Sequence, residues 1–225
     1  MINDGILVLC LLNFGFIALL PLMFFKKGDK LNLQWWMTAG PMFACPAILG
    51  LAFYGFFPPF IAYDSPWTNV LSYLAVFSTS FSILLLGFAI GTHRAPIYMF
   101  HDTDDNSHQV KSHLVTYGPY RYVRHPIYAA YLLGLWSAFF FHANVGTLIC
   151  LVWGMIVLNV TAAKEERRLS ESPELGAEYR EYMTYTGRFL PPLSSISVLK
   201  KHQEAALEKQ TNSPTAPQPQ HSETK

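Results

Sequence analysis

Long apolar runs separated by short polar blocks dominate the chain. Such runs occupy about residues 6–25, 37–57 and 70–91, and each is near the roughly 20 residues that a helix needs to cross a bilayer core. Between Leu31 and Gly91 the only charge is Asp64. Residues 126–163 contain no Asp, Glu, Lys or Arg, and at ~1.5 Å per residue this stretch crosses twice if it turns near its middle. His142-Ala143-Asn144, followed by Gly146, supplies the turn. The pattern predicts an all-α integral membrane protein with about five transmembrane helices, the last two forming a hairpin.

After residue 163 the apolar run gives way to the charge-dense stretch 164–171, which is expected to emerge into water. Ser172-Pro173-Glu174 then reads as an N-cap, an N1 proline and a first-turn acid. A cytoplasmic helix is expected to start there and to stop at Gly187. Pro41, Pro46 and the Gly/Pro-rich stretch 55–59 lie in or beside the second run, where a kink is expected because a proline removes a backbone hydrogen bond. From about Lys200 the chain is polar, with Pro214, Pro217 and Pro219 among Gln, Ser and Thr, and reads as a disordered tail. Three regions follow: the N-terminal spans at 1–91, a region carrying loop, hairpin and helix at 92–199, and the tail at 200–225.

Composition agrees with lipid contact, because 51% hydrophobic and only 14% charged residues leave too little polar surface to coat a soluble globule. The net charge of +1 gives no support to a nucleic-acid partner. Basic residues instead mark topology. Lys26, Lys27 and Lys30 follow the first run and Arg94, Lys111, Arg121 and Arg124 follow the third, while 58–69 and 142–144 carry no Lys or Arg. By the positive-inside rule the N-terminus lies outside and the C-terminus in the cytoplasm. Cys10, Cys45 and Cys150 each sit in an apolar run without metal-ligand or disulfide spacing, and read as small buried hydrophobes.

A hairpin over 126–163 returns the chain to the membrane face it left. Arg124-His125 before it and Glu165-Glu166 after it are therefore expected side by side at the inner boundary. Ionisable groups close to hydrocarbon are costly unless partnered, so their placement points to function. The plain alternative is a positive-inside anchor at Arg124 and a solvated helix end at Glu165-Glu166 balanced by Arg167 and Arg168.

A longer pattern separates these readings. It runs His113-Leu114-Val115-Thr116-Tyr117-Gly118-Pro119-Tyr120-Arg121-Tyr122-Val123-Arg124-His125-Pro126-Ile127-Tyr128, then Glu165-Glu166, then Tyr179-Arg180-Glu181-Tyr182 and Thr186-Gly187-Arg188-Phe189-Leu190-Pro191. This resembles the isoprenylcysteine carboxyl methyltransferase family and its phospholipid methyltransferase relatives, over roughly the last half of the chain outside the tail. The resemblance implies a membrane-embedded enzyme that uses S-adenosyl-L-methionine, enclosed by the loop before the hairpin and the segment after it. Carried over by position, Leu114 and Val115 line the cofactor pocket with backbone contacts, Tyr120 packs on it, Arg124, His125 and Pro126 cradle it, and Glu165 is the cofactor-binding glutamate; His113, next to that strip, and Tyr128 join them as cofactor-binding candidates.

The residue types suit that ligand. Its carboxylate calls for a charge-assisted donor such as Arg124 or His125, its ammonium or ribose hydroxyls for an acceptor such as Glu165, and its adenine for the aromatic walls of Tyr120, Tyr122 and Tyr128. No catalytic base is assigned and no metal is expected. His93, His101, His108 and His113 lie in one loop with Asp102, Asp104 and Asp105, but their spacing fits no ligand motif and reads as a solvated loop. Thr161 stands where eukaryotic members carry an arginine at the substrate end, which separates the cofactor from the identity of the acceptor.

The expected acceptor is lipophilic or membrane-delivered: a prenylcysteine-like carboxylate, a phospholipid amine or a small thiol. An NADPH-dependent sterol-type reductase is the alternative from another enzyme class, disfavoured by the acids at 165–166, since a dinucleotide phosphate calls for more Arg or Lys. A scaffold without cofactor affinity is the non-enzymatic alternative.

Overall fold

A computed structural model of the chain describes residues 2–22, 26–27, 30–31, 33–62, 65–92 and 114–192. The architecture is helical. The described residues form α1 (Ile2–Leu22), α2 (Leu33–Phe53), α3 (Trp67–Thr92), α4 (Pro126–Phe141), α5 (Val145–Ser170) and α6 (Gly176–Tyr185), with a 3₁₀ turn at Gly118–Arg121. Two-residue strands, β1 (Lys26–Lys27) and β2 (Lys30–Leu31), pair antiparallel between α1 and α2. His113, the loop histidines and aspartates, and the tail expected at 200–225 lie outside the described residues.

Among the described residues two helices, α3 and α5, are long and apolar enough to cross a membrane, at 26 residues each. At ~1.5 Å per residue each spans about 39 Å, more than the ~30 Å hydrocarbon core. Their outward faces are apolar, with Phe77, Phe81 and Phe88 exposed on α3 and Val152, Met155 and Ile156 exposed on α5. Pro126–Phe141 is a shorter apolar helix, and Asp4–Gly15 and Gly40–Phe53 are apolar stretches within α1 and α2. Of the five spans read from the sequence, α3 and α5 meet the length and hydropathy of a membrane span among the described residues. Pro41 and Pro46 both lie inside α2.

The hairpin turns where expected. α4 ends at Phe141 and α5 begins at Val145, with Asn144 as its N-cap. Asn144 Oδ1 accepts from the Thr147 amide at 3.0 Å, and Thr147 Oγ1 accepts from the Asn144 amide at 3.2 Å. This reciprocal cap satisfies two of the amides that a helix start otherwise leaves unpaired. Gly146 is not part of the turn; it lies in the first turn of α5. The Phe60 amide donates to the Ala143 carbonyl at 2.7 Å, tying the segment after α2 to the hairpin tip.

The core draws on α1 to α5, with Phe14, Ile17, Leu86 and Leu135 fully buried on α1, α3 and α4 and Met42, Cys45, Leu49 and Leu158 on α2 and α5. Neutral polar groups run through it. Ser137 of α4 donates to the Ala75 carbonyl of α3 at 3.0 Å and meets Thr79 Oγ1, while Cys10 Sγ of α1 lies 3.3 Å from Ser137 Oγ. Ser82 of α3 donates to the Ala130 carbonyl at 2.7 Å. Interhelical bonds of this kind hold α1, α3 and α4 in one register where apolar packing alone is unspecific.

The last helix departs from the sequence expectation. Ser172-Pro173-Glu174 does not begin it; α6 starts at Gly176. The preceding residues form a turn closed by the Gly176 amide on the Ser172 carbonyl at 2.9 Å, with Ser172 Oγ accepting from the Leu175 amide at 3.5 Å. A Ser-Pro-acid sequence serves such a turn as well as a cap, because the serine oxygen satisfies a nearby amide in both. Likewise α6 ends at Tyr185, two residues before Gly187, which takes part instead in a parallel bridge with Val123.

Candidate functional site

The site forms where the segment entering α4 meets the last turns of α5 and the segment leaving α6. Pro126 can begin α4 because N1 needs no backbone donor, and it disfavours helical geometry at the residue before it. His125 accordingly has φ −125° and ψ 65°. Its backbone and that of Arg124 are free of the helix and pair with the segment after α6. The Arg124 amide donates to the Gly187 carbonyl at 2.8 Å, the His125 amide to the Arg188 carbonyl at 3.1 Å, and the Gly187 amide to the Tyr122 carbonyl at 3.3 Å. A Cβ at Gly187 would fall 1.7 Å from the Leu190 carbonyl oxygen, so only glycine fits this crossing.

Two further elements brace the same place. Tyr182 of α6 donates its hydroxyl to the Tyr120 carbonyl. At the 3₁₀ turn Gly118 has φ +62°, a left-handed conformation that glycine adopts without strain, and an added Cβ would meet the Thr92 side chain. Residues 114–128 are thus fastened to the end of α3 on one side and to α6 on the other.

Glu166 is the hub. Its carboxylate accepts from Arg124 Nε at 2.9 Å and from Arg188 Nη2 at 2.6 Å, and its side chain is 8% exposed. Arg124 also donates through Nη1 to the Thr186 and Met183 carbonyls. Arg188 Nη1 donates to Asn159 Oδ1 at 2.6 Å. Burial alone would push the Glu166 carboxyl up, but the two guanidiniums outweigh it and hold the group below the usual carboxylate range. Arg124, read from the sequence as a possible ligand donor, has its Nε and Nη1 turned inward to hold α5 and the segment after α6.

Glu165 differs from its neighbour in exposure and in its hydrogen-bond partner. Its side chain is 44% exposed. It accepts from the Tyr128 hydroxyl at 2.6 Å, and its other oxygen lies 3.5 Å from His125 Nδ1. Burial, and secondarily the neighbouring Glu166, raises its pKa despite the Tyr128 bond. The His125 ring stacks on Tyr128 at 5.3 Å between centroids and meets Phe189 edge-on at 6.2 Å. Burial, with the Arg124 charge, outweighs the field of Glu166 and lowers the histidine to about 4, so it is neutral at pH 7. His125 Nε2 has no hydrogen-bond partner among the described residues, although Glu166 Oε1 is 3.4 Å away.

The structure brings Tyr120, Arg124, His125, Pro126, Tyr128 and Glu165 to one end of the helices. Tyr120 is buried, and its hydroxyl is pushed up to about 12 by burial and by the field of Glu165. Leu114 and Val115 are half-buried just before the 3₁₀ turn. Sequence reasoning missed the hub role of Glu166 and the parts played by Arg188, Asn159 and the carbonyls after α6. The one usable signal was helical period: Leu158, Ala162 and Glu166, spaced by four, share the buried stripe of α5.

The arrangement holds a partly exposed carboxylate, an uncharged histidine and aromatic rings beside a cluster in which two guanidiniums share one carboxylate. Among the described residues no group of His, Cys, Asp and Glu could hold a metal ion. Residues 67–172 match the model of the phospholipid methyltransferase family. No curated protein and no solved structure matches the chain.

Proposed function

We propose, from the premise that residues 67–172 belong to the phospholipid methyltransferase family, that the protein is an S-adenosyl-L-methionine-dependent methyltransferase whose acceptor is lipophilic or membrane-associated. The family match supports a membrane methyltransferase; the cofactor site, the acceptor class and the orientation are our reading. The observation that carries the reading is the meeting of His125 and Tyr128 with Glu165 at the end of the hairpin.

The residues fit the cofactor. Glu165 offers a half-exposed carboxylate, steadied by Tyr128, to an ammonium or a ribose hydroxyl. The neutral His125 stacks on Tyr128 beside Glu165, with its buried Nε2 turned toward Glu166 Oε1 at 3.4 Å. Tyr120 and Tyr128 supply aromatic walls, and Leu114 and Val115 offer backbone groups. Pro126 fixes where the helix begins and so where His125 points. Arg124 acts from behind, holding Glu166 and the α6 exit in place. The bound cofactor brings a sulfonium methyl that is already electrophilic, so the chain needs to hold it in line with a nucleophile and exclude water.

A prenylcysteine-like carboxylate, a phospholipid amine and a small thiol all suit that chemistry, and the matched family favours the phospholipid amine. With basic residues flanking the inner ends of the spans, the site faces the cytoplasm and the N-terminus the other side.

Calorimetric titration of the detergent-purified protein with S-adenosylhomocysteine and with NADPH tests the reading. Heat with the first alone is expected. Heat with NADPH alone would assign a reductase, and heat with neither would leave a scaffold.

A further inference from the structure

Three cysteines are buried in the helices, and two of them face each other. Cys10 of α1 sits among hydroxyls, with its Sγ 3.3 Å from Ser137 Oγ and 3.6 Å from Thr79 Oγ1. Cys45 of α2 and Cys150 of α5 are in side-chain hydrogen-bonding contact, sulfur to sulfur. The contact lies about 22 Å along α5 from Glu165, well away from the charged cluster.

The packing of α2 against α5 fixes that contact. A Cβ on Gly40 of α2 would fall 2.9 Å from the Trp153 ring of α5, and a Cβ on Gly146 of α5 would fall 2.6 Å from the Ile48 side chain of α2. These two contacts run in opposite directions along the helices, so α2 and α5 are antiparallel, and Cys45 and Cys150 fall between them in the same register. With a glycine on each side of the pair, the two backbones approach more closely than bulkier residues would permit. Pro46, directly after Cys45, has no amide to give the helix, which removes one of the bonds that hold α2 rigid there. Cys45 and Cys150 are 0% and 1% exposed.

We propose that Cys45 and Cys150 form a thiol–disulfide redox site that ties α2 to α5 when a hydroperoxide oxidises it. A buried thiol is ordinarily inert, but a second thiol in contact supplies the resolving group that a lone cysteine lacks. One sulfur attacks the peroxide oxygen. The O–O bond breaks, a sulfenic acid forms, and the thiol proton leaves with the departing alcohol, or with water when the oxidant is hydrogen peroxide. The second sulfur then attacks the first: the S–S bond forms, the S–O bond breaks, and the hydroxyl leaves as water with the second thiol proton. Sulfur is oxidised and the peroxide is reduced. To reach a disulfide length of about 2.05 Å from a hydrogen-bonded contact, each sulfur moves by roughly an ångström. Cys10, bonded to hydroxyls, is the internal control. Cys45 lies outside the residues 67–172 matched to the family, and the site is independent of the methyltransferase reading.

The test uses the full chain in lipid nanodiscs, reduced and then exposed to hydrogen peroxide. Free thiols are labelled with N-ethylmaleimide after unfolding and mapped by peptide mass spectrometry. Before oxidation Cys10, Cys45 and Cys150 should all take the label. After it Cys45 and Cys150 should lose the label together, appear as one cross-linked peptide pair and regain the label with dithiothreitol, while Cys10 keeps it throughout. Cys10→Ser should leave the link intact, and Cys45→Ala should leave Cys150 labelled. Retention of every label in the folded wild type, a link that involves Cys10, or a link that forms only in chain already unfolded by dodecyl sulfate would overturn the proposal. So would sulfinic acid at either cysteine in place of the disulfide, because the second thiol would then have failed to reach the first.

Discussion

Two polar regions lie within this helical protein, and they are built on opposite principles. The seam between α1, α3 and α4 is neutral: Cys10, Thr79, Ser82 and Ser137 give their hydrogens to one another or to the carbonyls of Ala75 and Ala130. Only Asn13 Nδ2, at its edge, lacks a hydrogen-bond partner among the described residues of the seam. The cluster at the ends of α4, α5 and α6 is charged, and two of its side chains are partly exposed, Glu165 at 44% and Arg188 at 32%. A network closed on itself can only hold helices together. A network with partly exposed charged groups can also hold a ligand.

The sharpest way to break the comparison is to remove the hub. Glu166→Gln keeps the shape but leaves Arg124 and Arg188 facing each other over a neutral amide. Breaking a buried pair by removing one charge typically costs about 3–5 kcal/mol. Arg188 is partly screened by solvent, so the lower end of that range is expected. Chemical unfolding in detergent measures it; a loss no larger than that of an exposed surface substitution would show that the cluster is not what fastens α5 to α6.

A smaller effect follows from pH. His125 titrates near 4 in the folded protein against about 6.5 when unfolded. Between those values the unfolded chain takes up a proton that the folded chain refuses, so stability is full above about 6.5 and declines as pH falls toward 4, by at most about 1.4 kcal/mol per pH unit. Glu165, whose pKa burial raises, works in the opposite sense over part of that window. The histidine contribution is isolated by comparing the wild type with His125→Asn, in which the decline between pH 6.5 and 4 should flatten. An equal slope in both proteins would mean that His125 is charged or solvated in the fold.

The ligand-facing half of the cluster should respond in affinity and not in stability. Glu165→Gln retains an acceptor for Tyr128 but loses the charge that the proposed cofactor site relies on. Charge-assisted contacts contribute about 1.5–3 kcal/mol, so S-adenosylhomocysteine affinity should fall at least tenfold while the unfolding midpoint stays within error. A stability loss matching that of Glu166→Gln would erase the distinction between the two acids.

That distinction is where sequence reasoning stopped. The hairpin and the meeting of Arg124-His125 with Glu165-Glu166 were legible because charges at the ends of an apolar run mark where a helix leaves the membrane. Which acid turns inward was not, since neighbours on a helix lie about 100° apart and both border the buried stripe of Leu158 and Ala162. Asn159 read as part of a span, and its partner Arg188 lies 29 residues away, so no local spacing linked them. The start of α6 was misread because Ser172 and Pro173 serve a turn as readily as a cap.

The neutral seam offers the smallest effect and the cleanest contrast. Ser137 serves Cys10, Thr79 and the Ala75 carbonyl together, yet hydrogen bonds between membrane helices average only about 0.6 kcal/mol and reach about 1.7, because helices parted in lipid find other partners. With three partners, Ser137→Ala should cost about 1–2 kcal/mol in unfolding and leave S-adenosylhomocysteine affinity untouched. If the variant instead loses cofactor affinity as Glu165→Gln does, with little change in stability, the seam transmits to the site. The two regions would then have to be treated as one coupled network, in which the register of α4 sets the position of His125 one helix length away.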